Sequence, residues 1–244
     1  MRKHIALGIA LALSVVAAFA QSPPPPAATT ALEIKWVRDS EEYATITRMV
    51  YRIATQAVTQ AAKPLAAKSW VVVLDIDETS LDNSPYQLER AAYGLPYDSA
   101  SFVGWSKRRE AGAVPGVVEF IDAVRKAGGR VAWISNRAAA GEEATRNNLK
   151  RVGLWTDDDR LCVAGDAART KRVRRTEVFS GSGACSWNTP MKAVAFIGDQ
   201  MGDFPEANES VAGAGTDASF GIMSFILPNP MYGGDWTSRV TRQR

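Results

Sequence analysis

The chain has 244 residues, with 46% hydrophobic and 23% charged side chains and a formal charge of +3 at neutral pH. That length and apolar content suit one packed core with a modest elaboration. The near-neutral balance argues against nucleic-acid binding as the main function.

Met1-Arg2-Lys3-His4, an apolar run from Ile5 to Phe19 and Ala18-Phe19-Ala20 before Gln21 give the charged, hydrophobic and cleavable pattern of a secretory signal. Residues 1–20 are therefore expected to be removed. No cysteine near Gln21 could take a lipid, and no later apolar run is long enough to span a bilayer. The expectation is a soluble periplasmic or secreted protein without a stable membrane anchor. Cleavage leaves 27 basic against 26 acidic residues, a charge of +1, and removes His4, the only histidine. Ser-His-Asp hydrolysis, the usual zinc sites and the commonest haem ligand are then excluded, so any chemistry must run on carboxylates. Cys162 and Cys185 are the only cysteines. An oxidising compartment permits them to pair, although free cysteines are as often simply buried.

Residues 21–31 are rich in Pro and Ala and read as an extended tether ahead of a domain over 32–244. A helix is predicted from Ser40, which can cap it, with Glu41 and Glu42 at the positive end of its dipole and Tyr43, Ile46, Met49, Val50 and Ile53 as its core stripe. Short apolar runs at Trp70 to Leu74, Val131 to Ile134, Leu161 to Val163, Val194 to Ile197 and Met223 to Leu227 read as buried strands. Val117 to Ala127 and Glu142 to Val152 read as helices, closed by Gly128 and Gly153. Strands alternating with helices imply an α/β fold with a doubly wound, parallel, Rossmann-like sheet and an active site at the carboxyl ends of its strands. Residues 83–113, rich in Tyr, Trp and charge, break the rhythm and read as a small helical cap, and Ser180 to Pro190 as an irregular insertion.

The chemistry collects at the strand ends. Asp75 directly follows four apolar residues and Asp77 lies two positions on. Two acids at a strand terminus ask for a divalent cation, and magnesium accepts carboxylates, carbonyls, waters and a substrate oxygen together. Val131 to Ile134 delivers Ser135-Asn136-Arg137, whose hydroxyl and amides can hold phosphoryl oxygens. Val194 to Ile197 delivers Gly198-Asp199, with Asp203 behind to orient the metal shell. Lys171 is the candidate cation for a transferring phosphoryl group, and the arginines around it read equally as the solvated face of a basic helix.

These residues, in this order, resemble the haloacid dehalogenase-like phosphatases, and within them the bacterial class C acid phosphatases. The resemblance rests on Val73 to Tyr86, which contains Asp75-Ile76-Asp77-Glu78-Thr79, on Val114-Pro115-Gly116, Ser135-Asn136-Arg137, and Leu227-Pro228-Asn229-Pro230-Met231-Tyr232-Gly233-Gly234. It implies Asp75 as nucleophile, Asp77 as acid/base, and Ser135, Asn136 and Lys171 around the phosphate. It also implies Mg2+ on Asp75, the Asp77 carbonyl and Asp199 with Asp203 in support, and Tyr97 and Tyr232 against a nucleobase. Three features depart from the family pattern: no lipid-attachment cysteine, the 180–190 insertion between Lys171 and Asp199, and Ser80 where relatives carry an apolar residue.

The expected function is a magnesium-dependent acid phosphatase acting on small phosphomonoesters, nucleoside monophosphates among them, through an aspartyl-phosphate. The alternative is a non-catalytic binding or storage protein on the same fold. The sequence does not set the oligomeric state, and a homo-oligomer is compatible with it.

Overall fold

The computed structural model describes residues 31–165, 168–206, 209 and 216–232. The expected signal peptide, all but the last residue of the tether, and the Gly233-Gly234 end of the last motif lie outside the described residues. Two helices open the fold, α1 (Leu32–Asp39) and α2 (Glu41–Ala62), followed by β1 (Trp70–Leu74). A short antiparallel pair, β2 (Leu81–Asp82) and β3 (Gly112–Ala113), brackets α3 (Ser84–Ala92) and α4 (Ser99–Ser106). Then come α5 (Val117–Lys126), β4 (Arg130–Ala138), α6 (Glu142–Arg151), β5 (Arg160–Ala164), α7 (Lys171–Ser180), β6 (Lys192–Gly198) and β7 (Ser224–Ile226). The five main strands form one parallel sheet in the order β5-β4-β1-β6-β7.

The central strand shows why the sheet is doubly covered. Every residue of β1 is buried, and because successive side chains point to opposite faces, Trp70, Val72 and Leu74 join a core with Tyr51, Phe120 and Trp133. Val71 and Val73 join a second core with Val178, Phe196 and Trp187. All five strands run parallel, so their carboxyl ends share one edge.

Ser40 caps α2 as predicted, accepting from the Tyr43 amide at 3.0 Å. The predicted stripe is right at Tyr43, which is buried, and at Val50, which packs against the core, but Met49 and Ile53 are about 40% exposed, and the buried face is Tyr43, Thr47, Tyr51, Ala54, Val58 and Ala62. Hydrogen bonding outweighs hydropathy here. Thr47 Oγ1 donates to the Tyr43 carbonyl at 3.0 Å, and the Tyr51 hydroxyl donates to the Thr79 carbonyl at 2.5 Å, so two polar side chains enter the core satisfied. Gly116 lets α5 start against this face. At φ 95° it caps the helix, and a Cβ there would stand 3.0 Å from the Arg48 Cα.

The strand predicted to end at Ile134 continues to Ala138, with its register against β5 shifting after Ile134. That irregularity turns Ser135 to Arg137 out of the ladder. The 180–190 insertion is tied back rather than loose: Cys185 is disulfide-bonded to Cys162 of β5, and Trp187 is buried in the second core.

If the Tyr51 hydroxyl is what brings α2 onto the β1 turn, Tyr51→Phe should lower stability by about 1 kcal/mol as the Thr79 carbonyl loses its donor. Ile53→Ser should stay within about 0.5 kcal/mol. Urea unfolding of both variants measures this, and equal losses would restore the predicted stripe.

Candidate active site

The ends of β1, β4 and β6 and the start of α7 meet at a cleft of about 510 Å³, walled on the far side by Gln87, Tyr97, Phe102 and Val103. Asp75 sits at the end of β1, its amide donating to the Ile197 carbonyl at 3.0 Å and its own carbonyl accepting from Ser80 Oγ at 2.7 Å. The unusual serine thus fastens the backbone of the candidate nucleophile. Lys171, the first residue of α7, places Nζ 2.5 Å from Asp75 Oδ1 and also donates to Asp203 Oδ1. The insertion does not disturb this register: the disulfide and Trp187 pack it into the same second core that holds Val178 of α7.

Asp75, Asp199 and Asp203 bring carboxylate oxygens within 4.8 Å of one another. Each outer acid is held. Asp203 Oδ2 accepts from the amides of Asp199 and Gln200 at 3.1 and 2.9 Å. A Cβ at Gly198 would meet Asp203 at 2.3 Å, so glycine is needed for that approach. Asp199 accepts from Thr79 Oγ1 and from Asn229 Nδ2, both at 2.8 Å.

Burial pushes the Asp75 carboxyl well above its ordinary range, opposed by Lys171 and reinforced by Asp203 and Asp199. Asp199 is pushed up to about 7, first by burial and then by Asp203. Burial alone would lower the Lys171 ammonium, but Asp75 and Asp203 outweigh it and hold the lysine protonated. One lysine cannot offset three ionised carboxylates, and the raised carboxyls of Asp75 and Asp199 express that surplus of negative charge. An all-oxygen donor set with surplus negative charge fits a hard divalent cation.

Asp77 stands apart from this cluster. Its carboxylate accepts from Arg137 Nε and Asn83 Nδ2 at 2.8 Å on Oδ1 and from Ser135 Oγ at 3.1 Å on Oδ2. Any share it takes in a metal site falls to its backbone carbonyl. Asn136 is exposed at the cleft, its amide oxygen fixed by Arg174 Nη2 at 2.9 Å. Tyr97 and Tyr232 both line the cleft; Tyr97 is 58% exposed against the rings of Tyr86 and Phe102. Tyr232 directs its hydroxyl inward onto the buried Glu78 carboxylate.

Several residues of the site were not assigned from sequence. Glu78, at φ 55°, is buried, accepts from the Asn83 amide at 2.8 Å and has its carboxyl raised well above its ordinary range by burial and then by Asp77 and Asp199. Arg174 and Arg175 are 1% and 2% exposed rather than a solvated face, whereas Val173 just before them is 39% exposed. Arg174 donates to the carbonyls of Ser135, Cys162 and Thr170, tying the β4 turn to the start of α7. The Gly-less, apolar-poor character of α7 was the available signal, since a helix with one valine in its first five residues must pack by other means.

A sequence model of the HAD superfamily, subfamily IIIB (acid phosphatase), matches residues 6–235. The chain belongs to that family. It is similar to a solved structure of the class C acid phosphatase from Bacillus anthracis, at 30% identity and a TM-score of 0.70 over 84% of this chain and 85% of that one. The same enzyme with tungstate bound matches at 27% identity, again with a TM-score of 0.70 and the same coverage. Among curated proteins it resembles acid phosphatase 1 of Solanum lycopersicum, 28% identical over 168 residues, and the stem 31 kDa glycoprotein of Glycine max, 24% identical. Both matches cover 66% of this chain and under three fifths of the length of the plant proteins.

The surplus charge predicts a stability readout. A divalent cation added to chelator-stripped protein, Mg2+ being the first to try, should relieve the Asp75–Asp199–Asp203 cluster, raising stability by about 2.7 kcal/mol at a hundredfold excess over Kd, on the order of 5–10 °C in Tm. Asp199→Asn should melt no lower than the unsubstituted chain in chelator and lose most of the rise. Thermal scans with and without metal decide it, and an undiminished rise in the variant would place the cation elsewhere.

Proposed function

We propose that this member of the acid phosphatase family is a magnesium-dependent phosphomonoesterase of the periplasm or extracellular space, hydrolysing small phosphomonoesters, nucleoside monophosphates among them. The observation that carries the reading is the pairing of Asp75 with Lys171 at the mouth of the cleft, beside an acid that is held separately by its own donors. The Cys162–Cys185 disulfide suits an oxidising compartment, and no helix among the described residues is long and apolar enough to cross a membrane.

In the first half-reaction an Asp75 oxygen attacks phosphorus, the ester P–O bond breaks, and the departing alkoxide takes a proton from Asp77. Ser135 Oγ, the amide group of Asn136 and the Lys171 ammonium stabilise the phosphoryl oxygens. In the second half-reaction water attacks the aspartyl-phosphate, Asp77 takes the water proton, and the bond between phosphorus and Asp75 breaks. Magnesium, held by Asp75, the Asp77 carbonyl and Asp199 with Asp203 behind, would offset the charge of the phosphoryl group. Asp77 must enter the first step protonated, and the chain offers no histidine after residue 4 to replace it, which favours acidic pH.

The aromatic wall of the cleft, with Tyr97 and Tyr232 across from the phosphate groups, supports a planar leaving group such as a nucleobase. A storage or binding role gains no support from a site in which Asp75, Asp77, Ser135, Lys171, Asp199 and Asp203 all converge.

Asp75→Asn should reduce turnover by at least about 10³-fold while leaving the melting curve intact. Phosphate release from nucleotides, sugar phosphates and aryl phosphates, with and without magnesium, measures activity and ranks substrates. Retained magnesium-dependent release by the variant would sink the nucleophile assignment.

A further inference from the structure

Arg137 takes no part in the displacement described above, yet it is 5% exposed and every edge of its guanidinium is used. Nε donates to Asp77 Oδ1 at 2.8 Å, Nη2 to Asn83 Oδ1 at 2.9 Å and Nη1 to Thr145 Oγ1 of α6 at 3.1 Å. Its flat face lies 5.3 Å from the ring centre of Phe102 on α4. Asn83, oriented by Arg137 through its amide oxygen, returns its Nδ2 to the same Asp77 Oδ1 at 2.8 Å. The two carboxylate oxygens of Asp77 are therefore inequivalent. Among the described residues Oδ1 receives two N–H donors, and Oδ2 receives the Ser135 hydroxyl alone, at 3.1 Å.

That inequality decides where a proton can sit. An amide N–H and a guanidinium N–H cannot reverse direction, so a proton on Oδ1 would face two other hydrogens. A hydroxyl can turn, and Ser135 Oγ can swing from Oδ2 to a phosphoryl oxygen when substrate binds. We propose that Arg137 is a positioning residue which, together with Asn83, occupies Asp77 Oδ1 and so confines proton transfer to Oδ2. Arg137 cannot itself act as the acid, because a guanidinium does not give up its proton in this pH range. Its planar fork, braced by Thr145 and Phe102, fixes the carboxyl plane in advance, the kind of preorganisation from which a general acid draws its rate.

The inference rests on the reading of Asp77 as the acid of the first half-reaction, and leaving-group chemistry tests the two separately. An alkyl phosphate needs a proton on its departing oxygen; 4-nitrophenyl phosphate releases a stable phenolate and needs little help. The measurement is kcat/KM, which reports the step in which the leaving group departs, for 4-nitrophenyl phosphate and glycerol 2-phosphate. Arg137→Met is expected to lose at least on the order of tenfold more on the alkyl than on the aryl ester, with Asp77→Asn biased the same way and further. Arg137→Lys keeps the charge without the fork, should show the same bias, and carries the test if the methionine variant does not fold. Equal losses on both esters in a folded Arg137 variant, alongside a biased Asp77→Asn, would overturn the positioning role and leave the acid in place. An unbiased Asp77→Asn would remove the acid assignment and this proposal with it.

Discussion

Three buried carboxylates held within one small volume are the constraint around which the rest is arranged. Asp75, Asp199 and Asp203 share an edge of the sheet with a single ammonium, and such a group tolerates that position only when each lone pair has a donor and the net charge has a counterion. The surroundings meet the first condition closely. Thr79, Asn229, two backbone amides and Lys171 are all spent on keeping these oxygens in place. The second condition is met only in part by protein, and that shortfall is what suits the cluster to a divalent cation.

Seen this way, α7 is more than a connection between strands. Its first residue supplies the cation at the cleft, and its fourth and fifth, Arg174 and Arg175, bury guanidinium groups against backbone carbonyls. Arg174 reaches the carbonyls of Ser135, Cys162 and Thr170, so the turn after β4, the disulfide-bearing strand and the helix start share one fastening. Arg175 donates to the Asp203 carbonyl at 3.2 Å and forms a buried ion pair with Glu209 at 2.5 Å. Positive charge is thus distributed behind the acids rather than merely in front of them.

The sheet was legible because its strands are continuous apolar runs bounded by polar or glycine residues, the mark of strands covered on both faces. Asp75, Ser135 and Asp199 were legible because they stand at or one residue past the ends of those runs, whereas Lys171 was picked out of a basic run ahead of β6. What escaped was polar burial. Thr47 and Tyr51 lie under the stripe that hydropathy selected, and Arg174 looked like surface, because a carbonyl partner distant in sequence leaves no periodic trace. Tyr232 was expected only as a ring against a nucleobase, and the commitment of its hydroxyl to the buried Glu78 left no trace in the sequence.

The two-residue pairing of β2 with β3 has a consequence for how such a protein can change. Leu81 and Asp82 lie opposite Ala113 and Gly112, so the polypeptide leaves the sheet and returns to it at nearly the same point. Tyr97 and Phe102 lie in the segment that this stem closes, and lengthening that segment alters chain closure only logarithmically. The parts of that wall that brace no acid, such as Tyr97, can therefore drift in sequence, whereas Asn83 and Phe102 are held to their places by Arg137 and Asp77.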